Sequence, residues 1–191
     1  REGQRGPFAD EEEENPWADN RKKSFEEQRY RGLEIAQITY KEDTMGVDPK
    51  EPLMFFGFKA TGPKVLVDGS YMDANVKFHY GAPKYYADAT GKSADGFVLL
   101  MDLLFQTPME QGPNTLVIFG FGPMLKYSKF STSLNVGGRT ESYDMVDMSV
   151  GAAFNLGIAQ RFGSFALRGE LQYYWEKTQY SGLALAIQLP F

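Results

Sequence analysis

The sequence predicts an all-β chain, an eight-stranded antiparallel up-and-down transmembrane β-barrel behind a polar N-terminal extension. Three observations lead there. Long stretches alternate apolar and non-apolar residues with period two, which places successive side chains on opposite faces of a strand. The non-apolar face is made largely of small residues. Three of the four alternate connections between strand-like runs are long, and all the intervening ones are short.

The alternation is most regular at the C-terminus. Phe165, Leu167, Leu171, Tyr173 and Trp175 share one face, with Gly169 between them, against Ala166, Arg168, Glu170, Gln172, Tyr174 and Glu176. After a tight Lys177–Gln179 link, Leu183, Leu185, Ile187, Leu189 and Phe191 alternate with Gly182, Ala184, Ala186 and Gln188. The chain stops on a phenylalanine in register with the apolar row.

Residues 1–31 read as the extension and 32–191 as the barrel. In the extension, Asp10–Glu14 is acidic, Arg21–Lys23 is basic, and Pro7 and Pro16 interrupt any regular element. Ser24-Phe25-Glu26-Glu27 fits a capping box, so a short helix over 24–30 is expected. Low aliphatic content suits a solvated segment. Phe8, Trp17, Phe25 and Tyr30, however, are large anchors of the kind that dock on a partner protein or on the barrel mouth.

The first strand run is Leu33–Tyr40, followed by the polar stretch Lys41–Pro52. The second starts at Leu53, with Met54, Phe56, Phe58 and Ala60 on one face, and is expected to turn at Asp68-Gly69, a strong hairpin dipeptide. Tyr71–Tyr80 sets Met72, Ala74, Val76, Phe78 and Tyr80 against Asp73, Asn75, Lys77 and His79. A long loop, Gly81–Asp95, leads to Gly96–Gln106, which is apolar on both faces except at Asp102. Pro108–Asn114 turns into Thr115–Phe130, with Val117, Phe119, Phe121, Leu125 and Tyr127 on one face. A second long loop, Ser131–Ser142, precedes a run with Val146, Met148, Val150, Ala152, Phe154, Leu156 and Ile158 on one face. Arg161–Ser164 then enters the final hairpin.

A soluble barrel also alternates, with its apolar face inward. The identity of the other face decides between them. Water would favour long charged side chains, whereas a lumen closed by eight strands has little room. Ser149, Gly151, Ala153, Asn155 and Gly157 in one strand, and Gly182, Ala184 and Ala186 in another, fit the crowded lumen. No run reaches the roughly 18 apolar residues of a membrane helix. A negative mean hydropathy does not argue against a barrel, in which only every second residue need be apolar.

The ending at Phe191, with Leu189 and Ile187, resembles the closing strand of bacterial outer-membrane β-barrel proteins. Their last residue is commonly a Phe that serves as an assembly signal. The resemblance implies a Gram-negative outer membrane, a signal peptide already removed, and lipid, lipopolysaccharide and the barrel-assembly machinery as partners. With an even number of strands both termini would be periplasmic, and the long loops would face outward. Tyr80, Tyr127, Tyr143, Tyr173, Trp175 and Tyr180 would form an outer aromatic girdle, and Phe105, Phe162, Phe165 and Phe191 an inner one.

Charges on the inner face are expected to pair as a lumen network, since an unpaired charge there is costly: Asp73, Lys77, Asp102, Lys126, Asp147, Arg168 and Glu170. A selective pore is the alternative use of such charges. A net charge of −5 argues against nucleic acid as a partner. The absence of cysteine excludes a thiolate metal site, and no nucleotide or zinc spacing occurs, so no cofactor is expected. His79 is the one histidine. Small outer-membrane barrels include lipid-modifying enzymes that use a histidine, but nothing in the sequence brings a serine or acid to His79, and a rim histidine in polar surroundings is the plainer reading. The expected role is structural, adhesive or complex-scaffolding, through the outer loops and through residues 1–31 as a docking segment for a periplasmic or outer-membrane protein. A narrow channel and a lipid-modifying enzyme are the alternatives.

Overall fold

The computed structural model describes residues 24–42 and 49–191. Within them lie β1 (Tyr30–Lys41), β2 (Lys50–Pro63), β3 (Tyr71–Tyr80), α1 (Lys84–Thr90), β4 (Asp95–Gly112), β5 (Thr115–Val136), β6 (Arg139–Phe162), β7 (Phe165–Trp175) and β8 (Gln179–Pro190). Each strand runs antiparallel to the next, and β1 pairs with β8 from Tyr30↔Pro190 to Ile38↔Gly182, which closes the ring. Closure leaves no sheet edge over the paired stretch.

The alternation sorts the two faces as period two requires. Leu33, Phe56, Val150, Leu171, Leu183 and Leu185 point outward and are exposed. The inward face is crowded enough that small residues are needed. A Cβ on Gly120 would fall 2.5 Å from the side-chain amide of the inward-facing Gln106. β4 resolves into two faces as well. Val98, Leu100 and Leu104 turn inward beside Asp102 and Gln106, while Leu103 and Phe105 face out. Its apolar inner residues join Ile38, Tyr40, Phe55, Met124 and Phe130 in an apolar layer inside the barrel. The lumen is therefore partly an apolar core, and a strand lining it can be apolar on both faces.

Several sequence boundaries shift. β2 ends at Pro63, and the chain crosses to β3 through a loop rather than a two-residue turn at Asp68-Gly69. Lys64 N–H donates to the Ser70 carbonyl at 2.9 Å, and the Ser70 hydroxyl donates to the Val67 carbonyl at 2.7 Å. β4 continues through Pro108 to Gly112. The stretch expected as the loop Ser131–Ser142 is mostly strand, because β5 and β6 stay paired to Val136↔Arg139 and turn only at Gly137-Gly138. Those two residues have φ of 60° and 84°, which glycine adopts without strain. The hairpin therefore projects beyond the ring, since β6 meets β7 only as far as Ala152↔Trp175.

The expected helix at 24–30 is a single turn. Its reciprocal capping bonds form, with Ser24 N–H donating to Glu27 Oε2 at 3.1 Å and Glu27 N–H to Ser24 Oγ at 3.3 Å. The chain then enters β1 at Tyr30 and cannot continue as a helix.

Candidate functional site

The chemistry of the inner face concentrates midway along the barrel. Arg168 on β7 reaches Asp73 on β3, donating from NH1 to Oδ1 at 3.1 Å and from NH2 to Oδ2, and it also pairs with Glu170. Lys59 on β2 lies between Glu34 at 2.8 Å and Glu170. Lys77 binds Asp102 at 2.9 Å and Glu34 at 3.3 Å, and donates to the Tyr174 hydroxyl at 3.0 Å. Amides occupy the remaining acceptors. Gln106 donates to Asp73 at 2.8 Å, Asn155 to Glu170 at 3.1 Å, and Gln172 to Glu170 at 2.9 Å. All of these side chains are buried. A buried charge is tolerable only when paired and hydrogen-bonded, and here each cation has at least two acidic or hydroxyl partners.

Glu34 and Lys59 stand at the centre of this cluster and are absent from the sequence-derived network. Their signal was present. Each sits between outward-facing residues, Leu33 and Ile35 for one, Phe58 and Ala60 for the other, so period two aims both inward. Lys126 and Asp147 do not join the central cluster. They form a second group toward the end opposite Tyr30 and Pro190, where Lys126 pairs with Glu176 at 2.8 Å and Asp147 at 3.3 Å. The Asp147 side chain is 37% exposed and also pairs with Lys177 at 2.7 Å, so it is a rim residue and not a lumen one.

That end is roofed by α1. The Glu42 carboxylate accepts hydroxyls from Tyr40 at 2.7 Å, Tyr85 at 2.8 Å and Tyr86 at 2.6 Å, the last two from α1. Burial and the adjacent Glu42 push the Tyr85 phenol well above its ordinary range. Tyr86 packs on Phe130 at 5.0 Å. Lys84 N–H donates to Glu51 at 2.6 Å, and Thr90 and Thr132 are hydrogen-bonded at 3.3 Å. A cavity of about 210 Å³ remains beside the helix, with Glu42, Tyr86, Lys126 and Asp147 among its walls.

The end bearing Tyr30 and Pro190 is filled by the turn before β1. Phe25, 2% exposed, packs with Tyr30, Leu116, Ile118, Ala159 and Ala166. The Arg161 guanidinium lies over its ring, 5.4 Å from the centroid. Glu26 N–H donates to Glu110 at 3.0 Å, and Arg29 Nε donates to the Pro63 carbonyl at 2.9 Å. Phe25 and Tyr30 thus sit in the barrel mouth. Phe8 and Trp17 lie outside the described residues.

On the outer surface, Tyr80, Tyr173 and Trp175 are exposed and Tyr127 is half-buried, all on the outward face. Tyr180 is not with them. It is buried, stacked on Tyr174 at 5.2 Å, because β8 turns its even-numbered residues inward. Tyr143 also departs from the girdle. It pairs with Thr132 on the projecting hairpin, on the face continuous with the inward side of β6, and donates to Glu141 at 2.9 Å. At the end bearing Tyr30 and Pro190, Phe162 and Phe165 stack at 5.5 Å. Phe191, Leu189 and Ile187 are exposed, and Phe191 N–H donates to the Arg29 carbonyl at 3.1 Å. His79 Nδ1 lies 2.7 Å from the Met54 carbonyl oxygen, with its ring 5.5 Å from Phe55.

No protein-family model matches the sequence, and no curated protein matches it. Solved structures do share the fold. Ail, the attachment invasion locus protein of Yersinia pestis, superposes with a TM-score of 0.52 at 12% identity, over 86% of this chain and 97% of that one. Ail in complex with the heparin analogue sucrose octasulfate gives 0.51 at 11% identity, over 86% and 97%. Neisserial surface protein A gives 0.50 at 13% identity, over 85% and 97%. The chain has the fold of small bacterial outer-membrane β-barrels, and at these identities the likeness is one of fold.

Proposed function

We propose that the chain lies in a Gram-negative outer membrane as a filled, non-enzymatic barrel, with both termini periplasmic. Its role on this reading is structural, adhesive or complex-scaffolding, carried by the projecting β5–β6 hairpin and the N-terminal extension. The observation that carries the reading is the packing of the interior. The Phe25 turn fills one mouth, α1 roofs the other, and a paired charge cluster and an apolar layer lie between them. Eight strands leave an interior that side chains can fill, and these side chains do so. The continuous exposed apolar rows suit lipid on the outside.

Adhesion is the first role to test. A sulfated glycan is the partner chemistry we take first, since Ail, of the same fold, has been crystallised with a heparin analogue. Cells displaying the protein would be compared with cells displaying a variant in which residues 132–143 are replaced by a short turn, on surfaces coated with heparin or left bare. Adhesion that depends on both hairpin and heparin supports the reading. Equal adhesion of both cell types would leave the scaffolding role. Steady single-channel conductance of the purified protein in planar bilayers would overturn the filled barrel.

A further inference from the structure

Gly169 is a glycine the fold does not demand. It faces outward on β7, between Leu167 and Leu171. A Cβ built there meets only the Leu185 Cδ2, at 3.6 Å, an ordinary contact, and its φ is not in the left-handed region. Other strand glycines differ. A Cβ on Gly32 would fall 1.8 Å from the Ile187 carbonyl oxygen, and one on Gly151 would fall 2.1 Å from that of Trp175. Directly paired positions place Gly169 in an outward row that reads Val117, Ile158, Gly169, Leu185, Ile35, Phe56 across β5, β6, β7, β8, β1 and β2. One place in an otherwise bulky row is empty. Grooves of about 540 Å³ and about 590 Å³ adjoin it, and both include Gly169, Ile158 and Leu185 in their walls.

An apolar wall runs from Gly169 toward the end bearing Tyr30 and Pro190, past Leu167, Ile187 and Leu33. At that end the surface turns polar. Gln160 borders the groove, and Arg31 stands one step beyond Leu33 on the same outward face, exposed, with its guanidinium 5.1 Å from the centre of the Phe191 ring. The wall is thus apolar at mid-height and cationic at the rim.

We propose that this face binds one anionic glycerophospholipid of the periplasmic leaflet, with an acyl chain in the groove at Gly169 and its phosphate at Arg31. The inference rests on the membrane reading above. The empty position lets a chain lie against the wall where a side chain would otherwise stand, and each methylene held there is removed from poorer contacts. The arginine gives the site its charge preference, because a cation at the membrane surface attracts anionic headgroups. A neutral or purely apolar occupant would have no use for the cationic end.

The test is native mass spectrometry of the full chain released from micelles doped with equal amounts of dioleoyl phosphatidylglycerol and dioleoyl phosphatidylcholine. Wild type should retain one phosphatidylglycerol. Gly169→Leu should lower that retention about tenfold by occupying the groove and removing the acyl chain's contacts with its wall. Arg31→Gln, an exposed change, should lower the preference for phosphatidylglycerol over phosphatidylcholine about fivefold. Folding of each variant is checked by heat-modifiable gel migration. If Gly169→Leu does not fold, Gly169→Ala, which its 3.6 Å clearance admits, should give a smaller loss in the same direction. Equal retention of the two lipids by wild type, or undiminished retention by the groove variants, overturns the site. So does a protein dimer that Gly169→Leu dissociates, since the occupant would then be a second copy. A protein that never enters liposomes would instead fail the membrane reading itself.

Discussion

Arg168 on β7 holds both carboxylate oxygens of Asp73 on β3 from across the lumen, while the Thr61 hydroxyl accepts from the same guanidinium at 2.9 Å. Each partner is buried. The pair ties opposite walls of the barrel, and neither charge has an alternative in water. Arg168→Ala would leave Asp73 with Gln106 and a more distant Lys59 at 3.9 Å. A loss of about 3–5 kcal/mol is expected, against a change within about 0.5 kcal/mol for the exposed Lys84→Ala. Urea unfolding in detergent or lipid measures both, and equal midpoints would sink the assignment.

Tyr174 bridges two parts of the same cluster, accepting from Lys77 at 3.0 Å and donating to Gln172 at 2.8 Å. Lys77 keeps Asp102 and Glu34 when the hydroxyl is removed. Tyr174→Phe should therefore cost only about 1 kcal/mol. A loss as large as that of Arg168→Ala would mean that the hydroxyl organises the cluster and is not one partner among several.

Phe25→Ala should empty the mouth at the end bearing Tyr30 and Pro190. The expected loss is about 3 kcal/mol, as for other large-to-small changes at buried aromatics. Residues 24–29 should also become faster targets for protease, while the strands stay protected. Unchanged cleavage at the turn would show that its backbone bonds to Glu110 and Pro63 suffice to hold it.

The roof at the other end carries a pH dependence with a definite sign. Burial and Glu42 raise the Tyr85 phenol above its ordinary value, so the folded state favours the protonated form. That stabilisation is fully present below about pH 10, the ordinary tyrosine value, and is lost as pH rises toward the folded value. Phenolate absorbance of wild type minus Tyr85→Phe should therefore show no step near the ordinary value. A step there would place Tyr85 in water.

Deleting Phe191 removes an exposed aromatic at the end of β8 and its main-chain bond to Arg29. If this residue is the assembly signal, the deletion should lower outer-membrane abundance without impairing export. Fractionation with periplasmic and outer-membrane markers measures this, and normal abundance would remove Phe191 from that role.

The sequence by itself determined the strands and their faces, because a side chain's face in a strand depends only on parity. That is why Leu183, Leu185, Ile187 and Leu189 lie outward, why Arg168 and Glu170 lie inward, and why Tyr180 lies inward with Ala184 and Ala186. It also carried the capping bonds of Ser24 and Glu27, which are local. Parity says nothing about height along the barrel or about distance across it. The register of neighbouring strands set Glu34 beside Lys59 and kept Lys126 and Asp147 apart from that cluster, and only closure of the ring could bring Glu170 to Lys59 and Arg168 to Asp73, since those contacts join strands far apart in the chain. The extent of β5 and β6 was likewise a tertiary result. Polar residues such as Thr132 and Ser142 read as loop, but paired backbones hold them in a ladder that stops only where Gly137-Gly138 can reverse the chain.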